Sequence, residues 1–161
     1  MFRPMRRHAQ QLDYEESVKI LEAAPRGTLA VLGDDEYPYA LPLDYYFDKD
    51  DGELGTLYFH CATVGHKLDA VAAHDKASFC VLDEGRLEEG SWWYHFRSVI
   101  AFGRIRRIEE WDEMYPLLQR LGARYFPPAE DIEADIARNR NRVAVLALEI
   151  EHLSGKRVRE K

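Results

Sequence analysis

The sequence predicts a mainly β protein: an antiparallel barrel or sandwich with a few accessory helices. Two features predict it. Short apolar runs recur along the chain, each bounded by a polar or glycine-containing turn. Residues 91–108 then alternate over a long stretch, with Ile100, Phe102, Ile105 and Ile108 among the apolar members.

The elements follow in order. Asp13 is placed to cap a first helix, with Glu15 and Glu16 where the helix dipole favours acids. Val18, Ile20, Leu21 and Ala24 give that helix its apolar side, and Pro25 and Gly27 stop it. Residues 28–32 read as a buried strand and 33–36 as a tight turn. Residues 37–47, rich in aromatics, return as a second strand. Pro38 and Pro42 lack an amide donor, which predicts a sheet edge, a bulge, or a point where a ligand meets the backbone. After a polar turn at 48–55, residues 56–62 form the next strand. Gly65 opens a short helix over 66–74 that buries Leu68, Val71 and Ala72. Residues 77–82 form a strand and the acidic segment 83–90 an exposed loop. The long strand 91–108 bends near Gly103. A helix over 109–125 presents Met114, Leu117, Leu118 and Leu121 and has to tolerate Pro116. Pro127-Pro128 breaks it, 130–137 is helical again, 142–152 is a closing strand, and 156–161 is a charged tail. Without repeats, low-complexity tracts or a linker, one domain over 1–161 is expected.

The chain has 161 residues, 46% hydrophobic and 32% charged, as a folded globular protein does. Acidic residues outnumber basic ones by 29 to 22, a formal charge of −7. That balance argues against a general nucleic-acid binder, although one small anion needs only a local basic pocket. No apolar run approaches the ~20 residues of a spanning helix. No apolar h-region follows the basic start at Arg3, Arg6 and Arg7, so no secretory signal is read there. Two cysteines, Cys61 and Cys80, form no CxxC pair, and a reducing cytoplasm is the expected location.

The most informative stretch for chemistry is Tyr58-Phe59-His60-Cys61-Ala62-Thr63-Val64-Gly65-His66-Lys67-Leu68-Asp69. It reads as strand, glycine turn and helix start. The first amides of a helix lack internal partners and carry partial positive charge, so a phosphate fits there, and Lys67 adds a full charge. The plainer reading is that Gly65 only makes a turn and Lys67 is solvated. His60, Cys61 and His66 are metal-ligand types, but neighbours on a strand face opposite ways and no HExxH or CxxC accompanies them, so no metal site is expected. Haem ligation by a histidine stays open. Cys61 and Cys80 read as small core residues rather than nucleophiles. Arg97, Arg104, Arg106 and Arg107 form either part of an anion site with Ser98 or a charged solvent face. Trp92, Trp93, Tyr94 and Phe96 suit stacking on a flat cofactor or an oligomer interface.

These segments resemble a known family. Gly27-Thr28-Leu29-Ala30-Val31, Tyr37-Pro38-Tyr39-Ala40-Leu41-Pro42-Leu43-Asp44-Tyr45, Tyr58-Phe59-His60-Cys61-Ala62 and Gly65-His66-Lys67-Leu68-Asp69 are similar to the pyridoxamine 5′-phosphate oxidase-like flavoproteins. Ser98-Val99-Ile100-Ala101-Phe102-Gly103 and Glu149-Ile150-Glu151-His152-Leu153-Ser154-Gly155-Lys156 match the nitroimidazole-resistance (Nim) group. The resemblance runs roughly from Met5 to the end. It implies an FMN-binding split β-barrel, homodimeric, with FMN at the subunit interface. By the same resemblance, the backbone of Leu41, Pro42, Leu43, Asp44 and Tyr45 lines the flavin ring and ribityl chain. His60, Cys61 and Ala62 lie beneath the cofactor, and Gly65, His66 and Lys67 hold its phosphate. Ser98 and Val99 approach from the partner chain, and Ser154, Gly155 and Lys156 close near the same site. Asp44 departs from the family, which often has Asn there; a carboxylate repels extra charge on a reduced flavin.

The implied activity is an FMN-dependent oxidoreductase acting on small organic compounds, nitroaromatics included, with His66 as candidate proton donor or substrate contact. The alternative is a flavin- or haem-binding protein without turnover. A deazaflavin-dependent reductase ranks below both. Pyridoxamine phosphate oxidation itself is disfavoured, because Arg97, Arg104 and Arg106 do not assemble into a second phosphate pocket from sequence.

Overall fold

A computed structural model describes residues 2–90, 92–126 and 129–158, with backbone alone at 129 and 130. The Pro127-Pro128 break and the last three residues of the expected tail lie outside the described residues. The strands are β1 (Gln11–Leu12), β2 (Arg26–Leu32), β3 (Pro38–Asp44), β4 (Tyr46–Asp48), β5 (Thr56–Ala62), β6 (Lys76–Leu82), β7 (Arg86–Leu87), β8 (Tyr94–Ile108) and β9 (Val143–Val158). The helices are α1 (Tyr14–Ala23), α2 (His66–Ala73), α3 (Trp111–Tyr125) and α4 (Ala129–Asn139). As expected, Asp13 caps α1, its carboxylate accepting from the Glu16 N–H at 2.8 Å.

The main sheet is antiparallel, in the order β3-β2-β6-β8-β9-β5-β4. Its two ends, β3 and β4, are consecutive in the chain and separated by Tyr45 alone. The expected single strand over 37–47 is therefore two. The chain pairs with β2 as far as Asp44 and with β5 from Tyr46 onward. That switch curls the sheet into a barrel. Pro38 and Pro42 lie on β3, the terminal strand, where a missing amide donor costs no ladder bond.

Tyr45 holds the switch. Its side chain is fully buried, its ring meets Phe79 edge-on with centroids 4.9 Å apart, and its hydroxyl donates to the Leu21 carbonyl at 2.6 Å. The Tyr45 N–H, left without a sheet partner, donates to the Tyr125 hydroxyl at 3.0 Å. That hydroxyl in turn has the carbonyls of Pro25 at 2.6 Å and Tyr45 at 2.8 Å as acceptors. Tyr125, at the end of α3, thus ties α3 to the closure.

Burial divides β5 by parity. Leu57 and Phe59 enter the barrel core with Leu29, Phe79, Val99 and Leu148. Tyr58 faces outward into a second cluster with Ile108, Leu117, Leu118, Ile136 and Val145, beneath α3 and α4.

The bend expected near Gly103 is a β-bulge. Phe102 pairs with His152 but Gly103 with Ile150, so Glu151 is the extra residue. A Cβ on Gly103 would lie 1.8 Å from the Glu149 carbonyl oxygen, so only glycine fits this crossing. Two expectations are corrected. The closing strand runs on to Val158, so Lys156, Arg157 and Val158 are sheet and not tail. The long β8 supplies ladder partners whatever the side-chain polarity, and Arg157 pairs with Glu16 at 2.5 Å. The 83–90 loop also contains the short strand β7, paired with β8.

Tyr125→Phe removes the acceptor of the Tyr45 N–H and leaves that group buried without a partner. It should cost about 1–3 kcal/mol, read as a lower urea midpoint with an unchanged slope. An unaltered midpoint would separate this hydroxyl from barrel closure.

Candidate functional site

The turn before α2 makes an open cationic socket. Gly65 caps the helix at φ 134°, a conformation costly for a side chain, and a Cβ there would meet nothing within 4 Å. Its carbonyl takes the Leu68 N–H at 2.8 Å and the Asp69 N–H at 3.3 Å, while the His66 and Lys67 amides begin the helix without internal acceptors. Among the described residues the Lys67 ammonium has no ion-pair partner, whereas the β8 arginines all do. Free amides, a free ammonium and open space suit a phosphate monoester.

The His66 side chain turns away from this socket. Its ring stacks on Tyr39, centroids 4.2 Å apart and planes 14° off parallel. Nε2 accepts from the Asp34 N–H at 3.4 Å and lies 3.6 Å from an Asp34 carboxylate oxygen. A Cβ on Gly33 would come within 3.0 Å of the same nitrogen. His66 therefore wedges α2 against the β2–β3 turn. The amide bond requires neutral Nε2 and the ion pair a protonated one, so the two are alternatives.

On β3, Tyr39, Leu41 and Leu43 lean toward the core while Ala40 and Pro42 face out. Asp44 does not act as an uncompensated charge. Its carboxylate accepts from Arg26 Nε at 2.6 Å, and that bond raises the guanidinium pKa further. The pair closes the β2–β3 register.

His60, Cys61 and Ala62 do not act as one surface. Cys61 points inward against the core. His60 points outward into a cavity of about 440 Å³ between β5, α3 and α4. Burial pushes the Cys61 thiol pKa up, while Lys67 and Arg107 pull it down. Among the described residues, no three His, Cys, Asp or Glu side chains gather to hold a metal ion.

Ser98, Val99, Ser154, Gly155 and Lys156 form one patch of the β8–β9 ladder, with Ser98 opposite Lys156 and Val99 opposite Gly155. Val99 and Gly155 are buried. A Cβ on Gly155 would lie 2.1 Å from Ser17 Oγ, so this glycine admits α1. Ser98 and Arg104 share a face of β8, as alternation predicts, but lie about 20 Å apart along the strand.

The arginines follow the charged-face reading. Arg97 pairs with Asp83 at 2.7 Å, Arg104 with Asp75 at 2.5 Å and Glu151 at 3.1 Å, Arg106 with Glu113 at 2.7 Å, and Arg107 with Glu109 at 3.6 Å. They form no second phosphate pocket. Sequence reasoning missed Arg26, Asp34 and Tyr125 as partners of the site. Tyr39 carried a signal, being in phase with Leu41 and Leu43. The others are distant in sequence and carried none.

Because burial raises the Cys61 pKa, its alkylation by iodoacetamide at pH 7–8 should be slower than that of an unstructured cysteine peptide. The rate should rise toward higher pH. Lys67→Ala, which removes a cation that lowers this pKa, should shift the profile to still higher pH. Mass-spectrometric labelling of Cys61 checks both, and a profile matching the free peptide contradicts them.

The sequence matches the pyridoxamine 5′-phosphate oxidase family model over residues 13–157. No curated protein sequence matches it. Several solved structures share the fold. One is a candidate 5-nitroimidazole antibiotic resistance protein from Bacteroides thetaiotaomicron, at 18% identity and TM-score 0.74, covering 91% of this chain and 86% of that one. Another is a conserved hypothetical protein from Mycobacterium tuberculosis, at 16% identity and TM-score 0.77, covering 95% and 89%. A third is the FAD and heme binding protein from Mycobacterium smegmatis, at 24% identity and TM-score 0.73, covering 94% and 74%. With the match spanning nearly all of the barrel from the α1 cap to the end of β9, the chain belongs to the pyridoxamine 5′-phosphate oxidase family and has its split-barrel fold.

Proposed function

We propose that this chain is an FMN-dependent oxidoreductase of the nitroimidazole-resistance type, reducing small organic compounds with nitroaromatics among them. The observation that carries this reading is the socket at Gly65-His66-Lys67, with free helix amides and an unpaired ammonium beside β3 and β5. The family membership and the flavin named for the Mycobacterium smegmatis neighbour support it.

Bound FMN supplies the electron-transfer chemistry; the chain supplies binding, orientation and charge. In this reading the His66 and Lys67 amides and the Lys67 ammonium hold the phosphate. The backbone of Leu41–Tyr45 lines the ring and ribityl chain. Ser98 reaches the group from a partner in a homodimer and Ser154 and Lys156 close beside it, whereas Val99 and Gly155 are buried in their own protomer and pack there instead. Arg26, paired with Asp44, offsets a carboxylate that would otherwise oppose added charge on the ring. His66 is the candidate proton donor. With Nε2 accepting from Asp34, its transferable proton sits on Nδ1. Free Cys61 and Cys80 are in keeping with a reducing cytoplasm. Among the described residues no helix is long and apolar enough to cross a membrane.

A second reading, a flavin or haem binder without turnover, draws on His60, whose ring has no hydrogen-bond partner among the described residues. A Soret band abolished by His60→Ala would favour it.

Lys67→Ala should weaken FMN binding about tenfold or more, roughly 1.4 kcal/mol, in a flavin-fluorescence titration, with Lys67→Arg restoring most of the affinity. Unchanged affinity in Lys67→Ala sinks the socket assignment. His66→Ala should retain FMN but lower kcat about 10²-fold. Full turnover in that variant removes His66 from the mechanism.

A further inference from the structure

We propose that Tyr39 and Asp34 are positioning residues for His66: the Tyr39 ring fixes the plane of the imidazole, and Asp34 holds its Nε2 edge, so that Nδ1–H is the edge offered to substrate. This rests on the reading of His66 as the proton donor and adds what aims it.

The plane is set by two fixed bodies. His66 is the first residue of α2, so the helix holds its backbone. Its ring stacks on Tyr39 with centroids 4.2 Å apart and planes 14° off parallel. Tyr39 is itself packed against the barrel core. A ring stacked on an anchored ring keeps its plane. Two arrangements then remain, related by a half-turn of the imidazole that exchanges its edges.

Asp34 chooses between the two. The chain turns from β2 to β3 through Asp35 and Glu36, both left-handed at φ 51° and 61°, a conformation that glycine or asparagine takes more easily. The turn is tied by the Gly33 N–H donating to the Tyr37 carbonyl at 2.8 Å and the Tyr37 N–H donating to the Asp34 carbonyl at 3.1 Å. Neither bond uses the Asp34 N–H, which donates to His66 Nε2 at 3.4 Å. Gly33 makes room for this contact, since a Cβ there would lie 3.0 Å from Nε2 and from the Tyr39 Cβ. Residues with side chains held at positive φ mark a conformation that their surroundings impose. Here the imposed turn keeps a donor amide against the imidazole.

A donor facing Nε2 makes that nitrogen the acceptor and puts the hydrogen of the neutral ring on Nδ1. The same residue serves the charged ring, because an Asp34 carboxylate oxygen lies 3.6 Å from Nε2 and can take an Nε2–H. Nδ1 has no hydrogen-bond partner among the described residues, and the side chain is 40% exposed, so a substrate can reach this edge. When the charged ring donates, the Nδ1–H bond breaks and its electron pair stays on Nδ1. The proton goes to a substrate oxygen made basic by reduction, while Nε2 keeps its own hydrogen against the carboxylate. Solvent returns a proton to Nδ1.

The test begins with ¹⁵N NMR of the full chain, labelled at histidine and without cofactor, at about pH 8.5, where an ordinary imidazole is neutral. His66 should show a bare Nε2 and a protonated Nδ1, the reverse of the form an unconstrained histidine prefers. Asp34→Pro removes the amide, and the extended Gly33 before it suits a proline. That variant should return His66 to the Nε2–H form. Gly33→Ala, which sets a methyl against Nε2 and leaves Asp34 intact, is the second variant should the proline disturb the turn, and should do the same. Asp34→Asn keeps the amide and should keep the Nδ1–H form.

In FMN-loaded protein, reoxidation of the dithionite-reduced flavin by nitrobenzene should be about tenfold slower at saturation in Asp34→Pro and in Tyr39→Ala, with half-saturation unchanged. Tyr39→Phe should restore the rate. Asp34→Asn should slow it with the tautomer intact, since the charged ring has lost its carboxylate partner. An Nε2–H form in the unaltered protein, a tautomer indifferent to both Asp34→Pro and Gly33→Ala, or one reoxidation rate across all variants overturns the proposal. The expected tautomers in a protein that binds no FMN, or whose reduced flavin nitrobenzene leaves untouched, would uphold the hold of Asp34 on His66 and overturn the oxidoreductase reading.

Discussion

The barrel depends on how Tyr45 is held. The sheet closes because a single residue lets the chain leave β2 and join β5 without a break, and that residue has no strand partner for its own backbone. Its amide is satisfied by Tyr125, eighty positions away in sequence, and its hydroxyl by Leu21. An unpaired buried amide would weigh against closure by an amount comparable to a lost hydrogen bond. Helices α1 and α3 are therefore structural parts of the barrel seam, and not decoration on its surface.

The functional geometry follows from that seam. Once β3 is the terminal strand, its outward edge carries the prolines and lies under the α2 N-terminus, with Tyr39 and His66 stacked between them. Once β4 pairs with β5, the two faces of β5 are assigned: Cys61 to the core side, near the Lys67 charge, and His60 to the space under α3 and α4. Adjacent residues in a short motif thus serve different environments.

The charge distribution sharpens the picture. A chain of net charge −7 neutralises its β8 arginines with its own carboxylates and leaves Lys67 unpaired at a helix start. The exposed ion pairs contribute little stability each. Their larger effect is to remove those arginines from competition for an anion, which leaves Lys67 unpaired at the helix start where a phosphate is proposed.

Local rules made much of this legible in the sequence. The Asp13 cap, the β5 limits, the glycine turn into α2, the edge prolines and the bend at Gly103 all depend on neighbours a few residues apart, where periodicity and backbone restriction act. The extension of β9 through Lys156–Val158 was not legible, because a long partner strand can order a charged segment that looks like a tail. Nor was the seam at Tyr45, the Arg26–Asp44 pair or the cavity facing His60. Each joins residues brought together only by closure of the sheet or by the α3–α4 crossing. The sequence by itself determined the local features that depend on near neighbours: the Asp13 cap, the β5 limits, the glycine turn into α2 and the bend at Gly103. The tertiary structure alone decided which face of each strand meets which neighbour, because that depends on where the two edges of the sheet join.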